Sequence, residues 1–191
     1  MKGGVRMSGE SGVLGVDLAS ITRRLAVMPP TLRGICAGLN DADARWRPPS
    51  PEGTWSILEV VCHLADEEAE DFKPRLERTL RNPGEPWDPL DFDGVSERRG
   101  YRERSLDAEV ERFARERGRS IAWLRGMAGA AIDWSSAHDH PKFGPISAAM
   151  LLCGWAAHDA LHLRQIAKRL FELAARDGGG ASTAYAGEWK A

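Results

Sequence analysis

The sequence predicts an all-α protein, a four-helix bundle within one domain. Four segments carry apolar residues at three- and four-residue spacing, and almost no segment shows the alternation that is typical of strands. The length of 191 residues, with 42% hydrophobic and 28% charged residues, is typical of a single globular domain. Amphipathic helices without strands bury their apolar faces against one another, which favours a bundle.

Prolines divide the first two helical segments. The first covers about residues 17–39, and Pro29 and Pro30 predict a kink or a break within it. The second covers about residues 55–81, and Pro74 predicts a bend. One stripe of the second segment is apolar, which predicts that this face packs on the core: Leu58, Val61, Cys62, Ala65, Ala69, Phe72, Leu76 and Leu80.

The last two helical segments follow a long connection. Residues 82–104 are rich in proline and long enough to run along a bundle, so the order of helices need not be up-down-up-down. The third helix covers about residues 106–127, with Ser105 as its N-cap. The fourth begins near Pro145 and ends before the glycines at 178–180. Its core-facing stripe is Leu151, Trp155, His158, His162, Ile166, Leu170 and Leu173.

Composition predicts a domain between two tails. Residues 1–13 and 177–191 are rich in glycine and small polar residues, so we predict a disordered N-terminal tail and a flexible C-terminal tail. The bundle domain is then predicted to cover residues 14–176. Trp189, in the second tail, has no partner that the sequence identifies.

Charge and composition argue against several classes of partner. The net charge of −2 and the pI near 6.2 give no field that favours nucleic acid or an anionic membrane. No apolar run reaches the roughly 18 residues of a membrane span, and no secretory signal is recognised. Three widely spaced cysteines favour a reducing, cytoplasmic location. The arginines of residues 97–105 alternate with acids, which predicts a solvated segment.

Three histidines form the candidate site. His158 and His162 lie four residues apart in the fourth helix, so their imidazoles point the same way and can share one divalent ion. By itself this spacing is a weak signal, and a pair of semi-buried histidines explains it equally well. His63 in the second helix is the candidate third ligand, with Glu67 one turn further on the same side. The alternative is a surface histidine paired with acids.

A site of three neutral imidazoles leaves coordination positions open, which is typical of catalytic centres. Zinc is the expected ion, and nickel or iron also suit nitrogen ligands. Carboxylates normally orient such ligands, and the candidates in sequence are Glu67, Asp66 and Asp159, each of which is otherwise a surface acid.

Three further residues have simpler interpretations. His138 and His140 precede the fourth helix, and a surface loop is favoured over the mouth of the site. Cys62 projects onto the apolar stripe, which predicts a core residue rather than a nucleophile.

Four stretches resemble the DinB/YfiT-like metalloenzyme family. They are "RWRPPSPEGTWSILEVVCHLADEE", "SERRGYRERSLDAEVERFARERGRSIAWLRGM", "HPKFGPIS" and "AAHDALHLRQI", and their order and spacing span about residues 17–176. The resemblance implies a four-helix bundle that holds a divalent metal with three histidines, here His63, His158 and His162. Many relatives read H-R-G-Q from the last ligand onward, whereas this chain reads H-L-R-Q, which displaces the polar pair and leaves Arg164 without a transferred role.

The resemblance implies less about function than about fold. Family members include S-transferases and isomerases that use a low-molecular-weight thiol, and metal-dependent hydrolases, all acting on small molecules. Homodimerisation is also implied. We therefore expect a metal-dependent transferase or hydrolase, against two alternatives: a non-catalytic bundle that binds a ligand or senses metal or stress, and a dimerisation module that uses exposed tryptophans such as Trp87 and Trp134.

Overall fold

The computed structural model of the protein describes residues 15–51, 54–90 and 93–189. Its described helices, in chain order, are α1 (Leu18–Cys36), α2 (Asp41–Arg45), α3 (Ile57–Glu70), α4 (Phe72–Arg81), α5 (Val95–Arg98), α6 (Leu106–Gly126) and α7 (Ala148–Asp177). Two 3-10 turns cover Tyr101–Glu103 and Ala184–Ala186, and a hairpin joins β1 (Ala137–His140) to β2 (Gly144–Ser147). Helix α1, the α3–α4 pair, α6 and α7 form the predicted four-helix bundle. The predicted tail at residues 1–13 lies outside the described residues.

Helix α1 runs through both prolines, so the predicted break is wrong, while the kink stays a prediction. Pro29 has no N–H, and the helical acceptor it would have used is the Leu25 carbonyl, four residues earlier. Nη1 of Arg117, on α6, donates to that carbonyl at 3.0 Å. A side chain from a different helix thus supplies the Leu25 carbonyl with the donor that Pro29 lacks.

The second predicted helix is two helices that meet at Asp71. The backbone there departs from helical geometry, with φ −108° and ψ −85°. The bend expected at Pro74 therefore falls three residues earlier, and Pro74 lies in the first turn of α4, where its missing N–H has no helical acceptor to satisfy. Every residue from Ile57 to Glu68 is buried, so α3 is surrounded on all sides. The acids Glu59, Asp66, Glu67 and Glu68 are therefore buried together with the apolar stripe.

Side-chain caps define the starts of α6 and α7. Ser105 caps α6 as predicted, and accepts a hydrogen bond from the Ala108 N–H at 3.4 Å. Helix α7 begins at Ala148 rather than near Pro145, because Ser147 is its N-cap and residues 144–147 form β2. This strand pairs antiparallel with β1, with His138 opposite Ile146. The hairpin was not predicted, because strands of four residues are too short to show a clear alternation.

The apolar core lies in two clusters that share α7. One surrounds α3 and includes Ile166 and Leu173 of α7, and the other surrounds Trp155 and Leu152 of α7. His158 and His162 lie between these two sets along the helix. The candidate site is therefore where the clusters meet, which places it inside the bundle wall rather than on a loop.

The connection from α4 to α6 packs on α3 through Tyr101, while Arg98, Arg99 and Arg102 are exposed, as predicted for a solvated segment. Tyr101 is fully buried, and its hydroxyl donates to Asp66 at 2.7 Å. Arg99 donates to the same carboxylate at 2.7 Å. This arginine-rich segment is therefore solvated except at Tyr101, and Arg99 reaches a buried carboxylate of α3 from the surface.

The helices and the C-terminal segment bear on two further predictions, the absence of a membrane span and a flexible tail. None of the helices in the described part of the chain has the length and hydropathy needed to cross a membrane. In the segment predicted as a flexible tail, the Trp189 ring lies 5.8 Å from that of Phe171 on α7. The domain limits themselves stay a prediction.

Candidate metal centre

Three histidines from two helices converge at one point. Helix α3 supplies His63, and α7 supplies His158 and His162 one turn apart. One ring nitrogen from each residue can be chosen so that all three atoms lie within 4.8 Å of one another. The Nε2 atoms of His158 and His162 are 3.0 Å apart, and the His63 ring lies 4.8 Å from that of His162. The structure thus brings together the three histidines that the sequence analysis selected.

Gln165 orients His162. The Nδ1 atom of His162 lies 2.9 Å from Oε1 of Gln165. An amide oxygen only accepts hydrogen bonds, so Nδ1 carries the proton and Nε2 presents a lone pair to the cluster. Gln165 is the third residue after His162, which is also the position of glutamine in the H-R-G-Q pattern. Relative to that pattern, only the arginine has moved, by one residue. Arg164 is exposed.

Burial keeps the imidazoles neutral. Desolvation lowers the pKa of His63 to about 4, with a smaller contribution from the neighbouring His162. Desolvation likewise lowers the pKa of His158 to about 3, with contributions from the other two histidines. The pKa of His162 is also lowered, chiefly by burial. Near neutral pH all three therefore offer nitrogen lone pairs without competition from protons.

The donor set fits a divalent cation. Nitrogens that each lie about 2.1 Å from one ion are about 3.0 to 3.4 Å apart at octahedral or tetrahedral angles, close to the observed separation of the α7 pair. Imidazole suits zinc, nickel and iron alike. Three protein ligands leave at least one position for water or substrate.

Aromatic rings enclose the cluster. The Trp55 ring lies 5.0 Å from His63, and the Phe72 ring lies 5.0 Å from His158. Trp155 stacks on Phe72 with an interplanar angle of 5°. These residues were not predicted to belong to the site. The only signal for Trp55 was its place just before the helix that carries His63.

Glu67 lies beside His63 in its protonated form and is not hydrogen-bonded to it. Its Oε1 is 3.9 Å from Nδ1 of His63, beyond hydrogen-bond distance. Burial, followed by a hydrogen bond and charge repulsion from Asp71, raises the pKa of Glu67 well above its ordinary value. Glu67 therefore holds a proton near neutral pH. Its predicted role in orienting a ligand stays a prediction.

The other two predicted carboxylates bind arginines. Asp159 forms a bidentate pair with Arg117, with distances of 2.6 and 2.9 Å. Asp66 accepts from Tyr101 and contacts Arg112 at 2.6 Å. Among the described contacts, neither carboxylate has a hydrogen bond to an imidazole, so neither orients a histidine directly. Both pair with arginines, so neither is a simple surface acid.

The remaining sequence candidates lie outside the cluster. His138 lies in β1, stacks on Trp87 at 4.4 Å, and its Nδ1 is 3.0 Å from the Pro83 carbonyl oxygen. His140 is in the same strand, not in the surface loop that we favoured. Cys62 is fully buried, and burial raises the pKa of its thiol to about 12, which confirms a core residue.

A small cleft opens beside His63. It is lined by His63, Asp66, Glu67, Glu70, Leu90, Val95, Arg99 and Tyr101. A larger cavity of about 620 Å³ lies between the start of α1, the end of α6 and residues 127–134, and none of the three histidines lines it. The wall of the cleft includes the α4–α6 connection, which therefore limits what reaches His63.

The fold and the site define a helical bundle with a candidate trihistidine metal centre. A model of the DinB superfamily matches residues 24–166, and the chain belongs to this superfamily. Its fold is similar to that of YfiT from Bacillus subtilis, described as "a probable metal-dependent hydrolase with an unusual four-helix bundle topology". The two share 19% identity with a TM-score of 0.71, over 91% of this chain and 94% of that chain. No curated protein matches the chain.

Proposed function

We propose that the protein is a metal-dependent hydrolase that acts on a small molecule, with His63, His158 and His162 as the metal ligands. The observation that carries the proposal is the convergence of three imidazole nitrogens within 4.8 Å, at a site that keeps them neutral. The likeness to YfiT supports hydrolysis, through the description of that protein. A divalent ion held in this way supplies Lewis acidity toward water or a thiol at neutral pH.

The neighbouring residues have roles that suit this chemistry. Gln165 holds the proton of His162 at Nδ1 and so directs Nε2 inward. Glu67, protonated and hydrogen-bonded to Asp71, is placed beside His63 as a general acid. Trp55 and Phe72 limit the access of bulk water. The site therefore combines ligands, a proton source and a partly dry environment.

Thiol transfer is the second candidate reaction, and a low-molecular-weight thiol would be its cosubstrate. The buried thiols of the chain favour an external thiol, because burial raises the pKa of Cys36 to about 11 and that of Cys62 to about 12. Neither forms a thiolate at neutral pH. In this reaction the thiol nucleophile would come from a small molecule bound over the histidines rather than from Cys36 or Cys62.

Metal analysis of untagged protein tests the site. We expect up to one zinc, nickel or iron per chain, and loss of that metal in His158→Ala. His138→Ala is the matched control, since His138 lies outside the cluster and should leave the metal content unchanged. Metal-free protein whose stability responds neither to chelators nor to added zinc or nickel would contradict the proposal.

Activity assays then separate the reactions. The metal-loaded protein is tested on ester, amide and phosphoester libraries, and in parallel on an electrophile with several low-molecular-weight thiols. Turnover in the first set that requires His158 supports hydrolysis, and conjugation in the second supports transfer. A protein that binds metal but is inactive in both sets would favour the non-catalytic alternative.

The proposal extends to partners. We propose a small-molecule substrate and a homodimer, and no nucleic acid or membrane partner. Sedimentation equilibrium of the metal-free and metal-loaded protein measures the oligomeric state, and a monomer in both forms would contradict the dimer.

A further inference from the structure

One buried guanidinium contacts all four parts of the bundle. Arg117 lies on α6 and is 1% exposed. Its Nε donates to Oε2 of Glu68 on α3 at 2.8 Å, and its Nη atoms donate to both oxygens of Asp159 on α7. Its Nη1 also donates to the Leu25 carbonyl of α1. The side chain thus joins every main helix at a single level.

The two helices that Arg117 ties by their carboxylates are the two that carry the histidines. Asp159 directly follows His158 on α7, and Glu68 follows His63 by little more than one turn on α3. The indole of Trp155, on α7, donates to the same Oε2 of Glu68 at 2.9 Å. One set of hydrogen bonds therefore links α3 to α7 close to the histidines.

The shape of guanidinium makes this arrangement specific. Its five N–H groups form a rigid planar fork, so partners that bind it bidentately are held at fixed relative positions. The ammonium of lysine carries the same charge but has no such fork. On α1, the acceptor is available because Pro29 leaves the Leu25 carbonyl without its helical donor.

We propose that Arg117 is a positioning residue for the histidine cluster: through Glu68 and Asp159 it sets the relative placement of α3 and α7, and so of His63 against His158 and His162. The inference rests on the proposed metal function. It assigns to Arg117 an effect on metal affinity and imidazole environment beyond its contribution to stability.

The test compares Arg117→Lys with the wild type. We measure the dissociation constants of Zn²⁺ and Co²⁺ by chelator competition, and the visible spectrum of the Co²⁺ form. We expect binding about tenfold weaker in the variant and a shifted Co²⁺ spectrum, by analogy with the loss of partners that orient metal ligands. Leu124→Ala is the matched control, because it removes core packing from a fully buried residue about two turns further along the same helix.

Asp159→Asn is the second variant, and it tests the proposed role of Arg117 if Arg117→Lys does not fold. It keeps the size of the side chain but replaces one acceptor of the bidentate pair, and we expect a smaller loss of affinity. Binding within twofold of the wild type in the folded variants would overturn the proposal. Equal weakening in Leu124→Ala would also overturn it, since the effect would then follow from stability alone.

A metal-free readout separates this inference from the proposed function. Imidazole ¹⁵N–¹H spectra of the apoprotein report the tautomers and environments of His63, His158 and His162. We expect these signals to shift in Arg117→Lys and not in Leu124→Ala. If the wild type binds no metal, the proposed function fails, and the imidazole spectra alone decide whether Arg117 positions the histidines.

Discussion

At the scale of single residues, the neutral histidines couple stability to pH. Unfolding returns their pKa values to about 6.5, whereas burial holds that of His63 at about 4 and that of His158 at about 3. Between about pH 6.5 and 4 the unfolded chain therefore binds more protons than the folded protein, and stability falls as the pH falls. For His63 alone the loss is on the order of 3 kcal/mol.

Urea unfolding in the presence of a chelator, at pH 7, 5.5 and 4.5, measures this dependence. Glu67 has the opposite effect, because its raised pKa means that the folded protein keeps a proton that the unfolded chain releases above about pH 4.5. Glu68, whose pKa is also raised by burial, acts in the same direction as Glu67. The contribution of His63 is therefore measured by comparing the wild type with His63→Gln, in which the slope of stability against pH should be less positive. Equal slopes in the two proteins would refute the assignment of a neutral, buried His63.

Gln165 offers a second prediction for a single residue. Gln165→Leu removes the acceptor of the His162 Nδ1 proton, so both tautomers become available and the lone pair of Nε2 is no longer always directed at the cluster. We expect zinc affinity to fall about tenfold, within the range found when such partners are lost. Isothermal titration with zinc measures it. Arg164→Leu, at an exposed neighbouring position, is the control, and an equal loss there would show that Gln165 has no special role.

At the scale of helices and strands, the sequence predicted those boundaries that depend on residues close to one another in the chain. The start of α6 followed from Ser105, whose hydroxyl satisfies a backbone donor within three residues. The continuity of α1 could not be predicted in this way. The donor that the Leu25 carbonyl receives comes from Arg117, which is far away in sequence and reaches this carbonyl only once the helices have packed. The β-hairpin depends on pairing between two four-residue strands, which leaves too short a pattern to recognise.

The continuity of α1 predicts an energetic coupling between Pro29 and Arg117. In Pro29→Ala the new N–H can donate to the Leu25 carbonyl, so that carbonyl keeps a partner when Arg117→Lys withdraws Nη1. Arg117→Lys should therefore cost about 1 kcal/mol less in the Pro29→Ala background, since a buried acceptor is not left unpaired. A double-mutant cycle of urea unfolding free energies measures the difference. Strictly additive effects would show that the carbonyl contact contributes nothing.

At the scale of the whole molecule, the three histidines of the candidate site were predictable and much of their surroundings was not. The spacing of His158 and His162, together with the resemblance, selected the histidines that the structure brings together. Three acids of α3, Glu59, Asp66 and Glu68, are buried, and each pairs with an arginine of another segment, Arg47, Arg99 and Arg117 respectively. Such pairing depends on the packing of helices, which the periodicity of one helix does not contain.

If His63, His158 and His162 bind a metal, that metal should stabilise the entire bundle, because α3 and α7 pack on the other helices and unfold with them. The unfolded chain holds no such arrangement of imidazoles, so zinc at about 100 times its dissociation constant should add about 2.7 kcal/mol to the free energy of unfolding. Thermal and urea unfolding with zinc or with chelator measure the gain. His138→Ala should keep it and His158→Ala should lose it. A similar gain in both variants would mean that zinc acts elsewhere on the chain, and the bundle would then be held together without any contribution from its histidine cluster.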